Sequence, residues 1–248
     1  MAQNPPGPPG APPGGGYPPP PPAGGYPPAP AGGGYPAASG GGYPQQAQDP
    51  YAAERALNEW AQAKSYALGN TPDLAWYQGW APFVYLPRLA RVGRELRVEI
   101  GDARAFIVEG YEADAVKQAA GEDRCLCSFV MSQRLAARAA VRSKTGGGVV
   151  NEIKSGFGSL FSSGSAGGVL GDPTFEGRFD VSTPTREEGN RALPLPLRQH
   201  LLQYNWRGIL ETRPGGMLAQ MYDATSFNVQ TLEWTLSTLG YLYQLAAG

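Results

Sequence analysis

LRVEIGDARAFIVEGY, residues 96–111, decides the fold. Leu96, Val98 and Ile100 alternate with Arg97 and Glu99, Gly101-Asp102 is a turn signal, and Ala103 to Tyr111 alternates again. A period of two on both sides of a Gly-Asp pair predicts a β-hairpin with one face on a core.

Working outward, Arg124 to Met131 predicts a third strand that turns Cys125, Cys127, Phe129 and Met131 to one face. Further strands are expected around Arg178–Ser182, over Trp206–Thr212 and over Met217–Asp223, the last two joined by Pro214-Gly215-Gly216.

Helix signals bracket these strands. Asp49-Pro50 reads as an N-cap with proline at the first helical position, and that helix is expected to run to about Leu68, where Gly69-Asn70 stops it. Thr71-Pro72-Asp73 starts a short second helix with Trp76, Tyr77 and Trp80. The aromatic run WYQGWAPFVYLP, residues 76–87, reads as core in preference to a sticky surface. Asp172-Pro173 is expected as a turn. Thr185 and Glu188 fit a capping box, and Leu193-Pro194-Leu195-Pro196 restarts a helix with Leu197, Leu201 and Leu202. Asn228 to Leu245 is amphipathic, with Val229, Leu232, Leu236, Leu239 and Tyr243 on one face, and is expected as a lid over the sheet. The fold class that follows is α+β: a mixed or antiparallel sheet packed against N- and C-terminal helices in a single domain, 49–248.

Residues 1–48 are expected to be a disordered Gly/Pro/Tyr-rich arm. They hold no charged residue and almost none of the bulky apolar side chains that offset backbone entropy. Tyr17, Tyr26, Tyr35 and Tyr43 each follow Gly-Gly and precede proline. The arm is either a spacer or a row of aromatic stickers whose weak contacts add through multivalency. Its composition resembles the Gly/Pro/Tyr-rich tails of proteins from high-GC bacteria.

Two internal stretches are open. In 133–142, QRLAARAAVR, a helix would set Arg134, Arg138 and Arg142 in a basic stripe, whereas a strand would dissolve it. Residues 143–170 are expected as a flexible Gly/Ser-rich insert holding a short amphipathic helix, in which Phe157, Leu160 and Phe161 carry the apolar side. Together the stripe and that helix form a candidate membrane or partner contact.

Composition narrows the function. Against 20 Lys and Arg stand 21 Asp and Glu, a net charge of -1 that gives no general attraction to nucleic acid, and nucleic-acid-binding motifs are missing. No basic-then-apolar leader opens the chain and no run of eighteen apolar residues occurs, so the expectation is a soluble, cytoplasmic protein. Cys125 and Cys127 are two residues apart in a strand, where a disulfide would be strained, and two thiols make no metal site. The single histidine, His200, sits among leucines with no G-x-S-x-G serine. The glycine-rich stretches lack the P-loop lysine, and Asp172 and Asp180 are the remaining carboxylate pair of interest. No catalytic set, metal site or cofactor is read from these residues.

The segment GDPTFEGRFDV, residues 171–181, within the order of strands, leucine helix, strand pair and closing helix, resembles an uncharacterised family of bacterial soluble domains marked by G-D-x-x-F-D-x-x-F-x-V. Glu176 stands where that pattern has aspartate. The resemblance spans about residues 90–248 and implies the same element order without a catalytic residue.

The expected function is therefore a non-enzymatic protein-protein interaction or scaffold module, binding a protein partner or itself and carrying a multivalent arm. A peripheral membrane module using the 149–161 segment and the basic stripe is the first alternative, and an enzyme of unrecognised type the second.

Overall fold

A computed structural model describes Asp49 and residues 51–144 and 170–248. Seven helices and eight strands are described: α1 Ala52–Ala63, β1 Ala67–Gly69, α2 Ala75–Trp80, β2 Leu89–Ile100, β3 Ala103–Glu112, α3 Ala115–Ala120, β4 Arg124–Met131, β5 Ala139–Ser143, α4 Pro173–Arg178, β6 Phe179–Ser182, α5 Arg186–Ala192, α6 Leu195–Gln203, β7 Gly208–Arg213, β8 Gly216–Met221 and α7 Val229–Ala247. The strands form one eight-stranded sheet in the order β1-β2-β3-β4-β8-β7-β5-β6. Every pairing is antiparallel.

The opening hairpin stands as expected. Leu96 lies opposite Ile107 and Val98 opposite Ala105, and Gly101 adopts φ +61° at the turn, a value that glycine takes without strain. The chain lays down β1 to β4 as a meander, moves across to build β5 and β6, and then drops the β7–β8 hairpin into the gap. β8 pairs with β4 and β7 with β5.

Both faces of the sheet are covered. On one, Leu96, Ile107, Leu126, Val130 and Leu210 meet Leu57 of α1, Phe175 of α4, Leu197 and Leu201 of α6, and Leu232, Leu239 and Leu242 of α7 in the larger core. On the other, Phe106, Cys125, Cys127, Phe129 and Leu218 meet Trp80, Phe83 and Leu86, with Trp76 and Tyr77 at the margin. The aromatic run is core, as expected. Trp76 stacks on Phe129 at 4.8 Å, and Trp80 meets the same ring edge-on at 4.7 Å.

A pair of side chains on β7 straps this aromatic segment down. Glu211 Oε1 accepts the backbone N–H groups of Val84, Tyr85 and Leu86 at 3.0, 2.8 and 3.2 Å. Arg213 donates to the carbonyls of Trp80 and Pro82. A loop lying on a sheet must find partners for its peptide groups, and these two residues supply them.

The signature-like segment is accounted for by packing and capping. Asp172 caps α4 by accepting from Phe175 N at 3.1 Å, and Glu176 Oε1 reaches back to accept from Gly171 N at 2.9 Å. Phe175 and Phe179 stack at 4.6 Å inside the larger core. Gly171 has φ +81°, and a Cβ there would meet the Arg186 guanidinium.

Three expectations are corrected, one open stretch is decided, and one helix appears that was not expected. The first helix ends at Ala63, because Ser65 turns left-handed at φ +57°, and Leu68 joins strand β1 opposite Leu96. Asp172-Pro173 opens a helical turn, α4, in place of a simple turn, since proline at the first helical position follows a capping aspartate. In the open stretch, residues 139–142 lie in strand β5, which runs on to Ser143. Helix α3 was not anticipated, although Asp114 accepts from Val116 N and Lys117 N, and Gly121 at φ +71° ends it. The capping box at α5 is half made: Thr185 Oγ1 accepts from Glu188 N at 3.1 Å, while the Glu188 carboxylate accepts from Arg138 N.

Candidate functional site

The chemically suggestive groups are each held in separate structural contacts. Asp172 pairs with Arg198 of α6 at 3.3 Å, on the helix-covered side. Asp180 pairs with Arg142 at 2.7 Å across β6 and β5, on the opposite face of the sheet. The two aspartates do not converge. His200 is flanked by the rings of Tyr204 and Tyr241 at 4.4 and 4.6 Å. Among the described residues it makes no hydrogen bond to a carboxylate, and partial burial holds its pKa below the ordinary imidazole value.

Cys125 and Cys127 are free, buried and 4.0 Å apart at sulfur. The hydrogen bond from one thiol to the other, followed by burial, pushes the Cys127 thiol well above its ordinary pKa. A thiol so placed is the reverse of an activated nucleophile. Among the described residues no group of three or more His, Cys, Asp or Glu side chains is placed to hold a metal ion.

The three arginines of the open stretch go to different places. Arg134 reaches the carbonyls at the end of α7, donating to Gly248 O at 2.8 Å. Arg142 projects on the other face of the sheet, over the Tyr85 ring at 4.9 Å and against Asp180. Arg138 is exposed where the chain enters β5. A helical stripe is thus absent, because β5 is a strand. Burial, with the Asp180 charge beside it, pushes the Tyr85 phenol up to about 12. Phe157, Leu160 and Phe161 lie outside the described residues, as do Tyr17, Tyr26, Tyr35 and Tyr43. No helix among the described residues is long and apolar enough to cross a membrane.

What remains is a surface. Helices α6 and α7 pack together over the larger core, and their outward sides carry almost no charge. Their charged residues are Arg198, which is paired with Asp172, and Glu233, which accepts from Trp60 Nε1 at 2.9 Å. Between them the two helices expose Leu195 at 52%, Trp234 at 46% and Tyr241 at 48%, and Tyr204, which caps α6, is exposed at 67%. Pro196, Gln199, Gln203, Gln230, Glu233, Ser237 and Gln244 complete the exposed set.

Along α7 the exposed positions are Gln230, Glu233, Trp234, Ser237, Tyr241 and Gln244; with Glu233 set aside at the α1 edge, the other five follow a 4-3-4-3 spacing. That spacing keeps them on one straight stripe, the seam geometry of helix-on-helix packing. The α6 side of the stripe is bounded by His200 and Tyr204. On its α1 side lies a cleft of about 350 Å³ lined by Trp60, Lys64, Tyr66, Glu99, Glu233 and Leu236, among others. Tyrosine and tryptophan with charge depletion is the composition of an interface centre. The sequence held this signal, but amphipathic reading of α7 attends to the buried stripe and treats the outward one as solvated.

No family model matches the chain, and no curated protein matches it. Among solved structures it is similar to the crystal structure of the mycobacterial trehalose monomycolate transport factor A, TtfA. The TM-score is 0.48 and the identity 11%, over 77% of this chain and 94% of that one. A likeness at that level carries no argument about activity or partners.

Proposed function

We propose that this domain is a non-enzymatic protein-interaction or scaffold module whose docking surface is the uncharged aromatic face of α6 and α7. One observation carries the reading: across two adjacent helices the exposed residues are Leu, Pro, Gln, Tyr, Trp and Ser with a single acid, Glu233, which accepts from Trp60 Nε1, while Arg198 is paired with Asp172. A solvated face in a chain with 17% charged residues would be expected to show several Lys or Glu. Rigid aromatics contribute contact area at low entropic cost, so a few of them dominate binding.

In the same proposal Tyr17, Tyr26, Tyr35 and Tyr43 act as repeated weak contacts that raise the effective concentration of the module at its partner. Photo-crosslinking in the native host tests the surface. A crosslinking residue placed at Tyr204 or Tyr241 is expected to give discrete protein adducts, while one at Val116, exposed at 79% on α3, gives none. Equal labelling at all three positions removes the reading. Deletion of residues 1–48 is expected to leave the domain folded and to lower adduct yield; unchanged yield makes the arm a spacer.

A further inference from the structure

We infer that Arg91, Arg94 and Arg124 form a binding site for a single phosphate group, such as that of a phosphomonoester. The three guanidiniums come from β2 and β4 and converge on two side chains of β3. Arg94 Nε and Nη2 donate to the Glu109 carboxylate at 3.2 and 3.3 Å, and Arg124 Nε lies 3.7 Å from it. The Arg91 guanidinium lies over the Tyr111 ring, 3.4 Å from its centroid, and that of Arg124 lies over the same ring at 5.6 Å. Glu109 and Tyr111 are two apart on one strand and so share a face. None of these residues belongs to the aromatic face of α6 and α7.

The chain breaks its strand period to achieve this. Arg91 and Arg94 are three residues apart, a spacing that points side chains of a regular strand to opposite faces. Val92 pairs with Gly110 and Glu95 with Val108, so β2 spends one residue more than β3 between these pairs. Gly93 and Arg94 together oppose the single residue Glu109, which is a β-bulge, and Arg94 thereby turns to the face that Arg91 already holds. Gly93 permits the close approach, since a Cβ there would stand 2.6 Å from Glu109 Oε2. A second register shift, between Leu89 and Arg91, lets Leu89 pack against the smaller core while Arg91 crosses to Tyr111. Bulges that re-aim side chains are over-represented beside functional sites.

Neutralising Glu109 takes one guanidinium, and three are gathered around it and Tyr111. Glu109 is buried, Arg94 is half-buried, and Arg91 and Arg124 are exposed. Among the described residues Arg91 makes no ion pair; a ring holds it, which leaves the N–H groups in the guanidinium plane for another acceptor. The cluster has an excess of two positive charges, which a phosphate dianion matches and a carboxylate does not. The terminal oxygens of a phosphomonoester also offer one to each guanidinium. The Phe227 ring, 4.6 Å from the Arg94 guanidinium, directly precedes Asn228, the cap of α7, so the positive end of that helix adds to the same field.

Neighbouring acids limit the size of the ligand. Glu122 and Asp123 directly precede Arg124. Asp223, paired with Arg207 at 3.3 Å, adjoins Ala224, whose carbonyl accepts from Leu126 N. A nucleic-acid strand or an anionic membrane would have to meet these acids as well, whereas a single phosphate group meets the arginines alone.

NMR titration of the arginine Nε–Hε signals of the full chain tests the site. The probes are inorganic phosphate, O-phosphoserine and a short peptide centred on phosphoserine, each against sodium chloride at matched ionic strength. The Arg91, Arg94 and Arg124 signals are expected to shift saturably with every phosphate probe and not with chloride. Arg91→Gln leaves the Arg94–Glu109 pair in place and is expected to weaken binding about tenfold, the loss of one charge-assisted bond. Arg104→Gln removes the same charge at the opposite end of β3 and is expected to change binding less than about twofold. Equal affinity for phosphoserine and the peptide assigns the site to a small phosphomonoester, and tighter peptide binding assigns it to a phosphorylated segment of a partner; both support the site. Shifts that chloride reproduces, or binding indifferent to Arg91→Gln, overturn the inference. So does flotation of the chain with vesicles containing phosphatidic acid while the soluble phosphate probes leave the arginine signals unmoved.

Discussion

The Glu211 carboxylate and the Arg213 guanidinium lie 3.7 Å apart on one face of β7, and between them they hold the strap that covers that face. Glu211 is 1% exposed and takes three amide N–H groups on a single oxygen; Arg213 takes two carbonyls from the same strap. This buried carboxylate, with three amides on Oε1 and only the Arg213 charge facing Oε2, serves as a clamp, and its removal strands several groups at once.

Replacement of Glu211 by alanine leaves Arg213 without its counter-charge and three amides without their acceptor. A loss of about 3–5 kcal/mol is expected, the cost of breaking a buried pair from one side. Glu211→Gln keeps an acceptor oxygen and should lose less. Urea denaturation followed by tryptophan fluorescence checks both, since Trp76 and Trp80 lie in or beside the strap. A loss below about 1 kcal/mol for the alanine variant would mean that packing alone holds the segment.

Two glycines give opposite expectations. A Cβ on Gly208 would sit 2.2 Å from the backbone oxygen of Gln220, which is fixed in the β7–β8 ladder and cannot yield, so Gly208→Ala is expected to cost more than about 2 kcal/mol or to prevent folding. Gly79 lies in helix α2 with open space around its Cβ position. Gly79→Ala should therefore stabilise by about 0.5–1 kcal/mol through the lower entropy of the unfolded chain. Thermal and urea melts of the pair check the sign of each.

His200 is the single histidine, so its titration by NMR is unambiguous. Burial lowers its folded pKa below 6.5. The unfolded chain then holds the extra proton in the window between the folded value and about 6.5, and stability rises with pH across that window. The contribution is present above about 6.5 and is lost as the pH falls through the folded value. His200→Gln is expected to flatten the stability profile between about pH 5 and 7 relative to wild type; an unaltered difference would place the sensitivity in other groups.

The two thiols should be inert in the native state. With Cys127 raised well above its usual range and both sulfurs buried, labelling by a thiol reagent at pH 8 is expected to be at least about a hundredfold slower than in the unfolded chain, by the exposure and thiolate arguments together. Fast native labelling would show that the strap over the second face opens readily.

The sheet was legible where one rule acted alone. The 96–111 hairpin and the strand from Arg124 to Met131 carry period-two alternation, and both appear where expected. The pattern failed where competing signals overlapped. Leu68 continues the apolar spacing of α1, yet the left-handed turn at Ser65 and the sheet edge claim it. Alanines at 136, 137, 139 and 140 favour a helix by propensity, but two neighbouring strands and a two-sided core override it. Strand order was beyond reach, because nothing local in Met217–Met221 says that its neighbour is β4. The outward stripe of α7 on which the proposed interaction rests, Gln230, Trp234, Ser237, Tyr241 and Gln244, lies on the side of the helix that amphipathic reading passes over.

The late placement of the β7–β8 hairpin has a consequence for biosynthesis. Strand β5 is complete at Ser143, whereas its neighbour β7 and the mate of β4 end only at Met221, roughly 80 residues later. At a translation rate of ~5–20 residues per second the ribosome takes on the order of 4–16 s to deliver them. Throughout that interval the nascent chain carries two open strand edges that only its own last hairpin can close. Slow codons in this stretch would prolong the exposure, and a holding chaperone at the exit tunnel would matter most there.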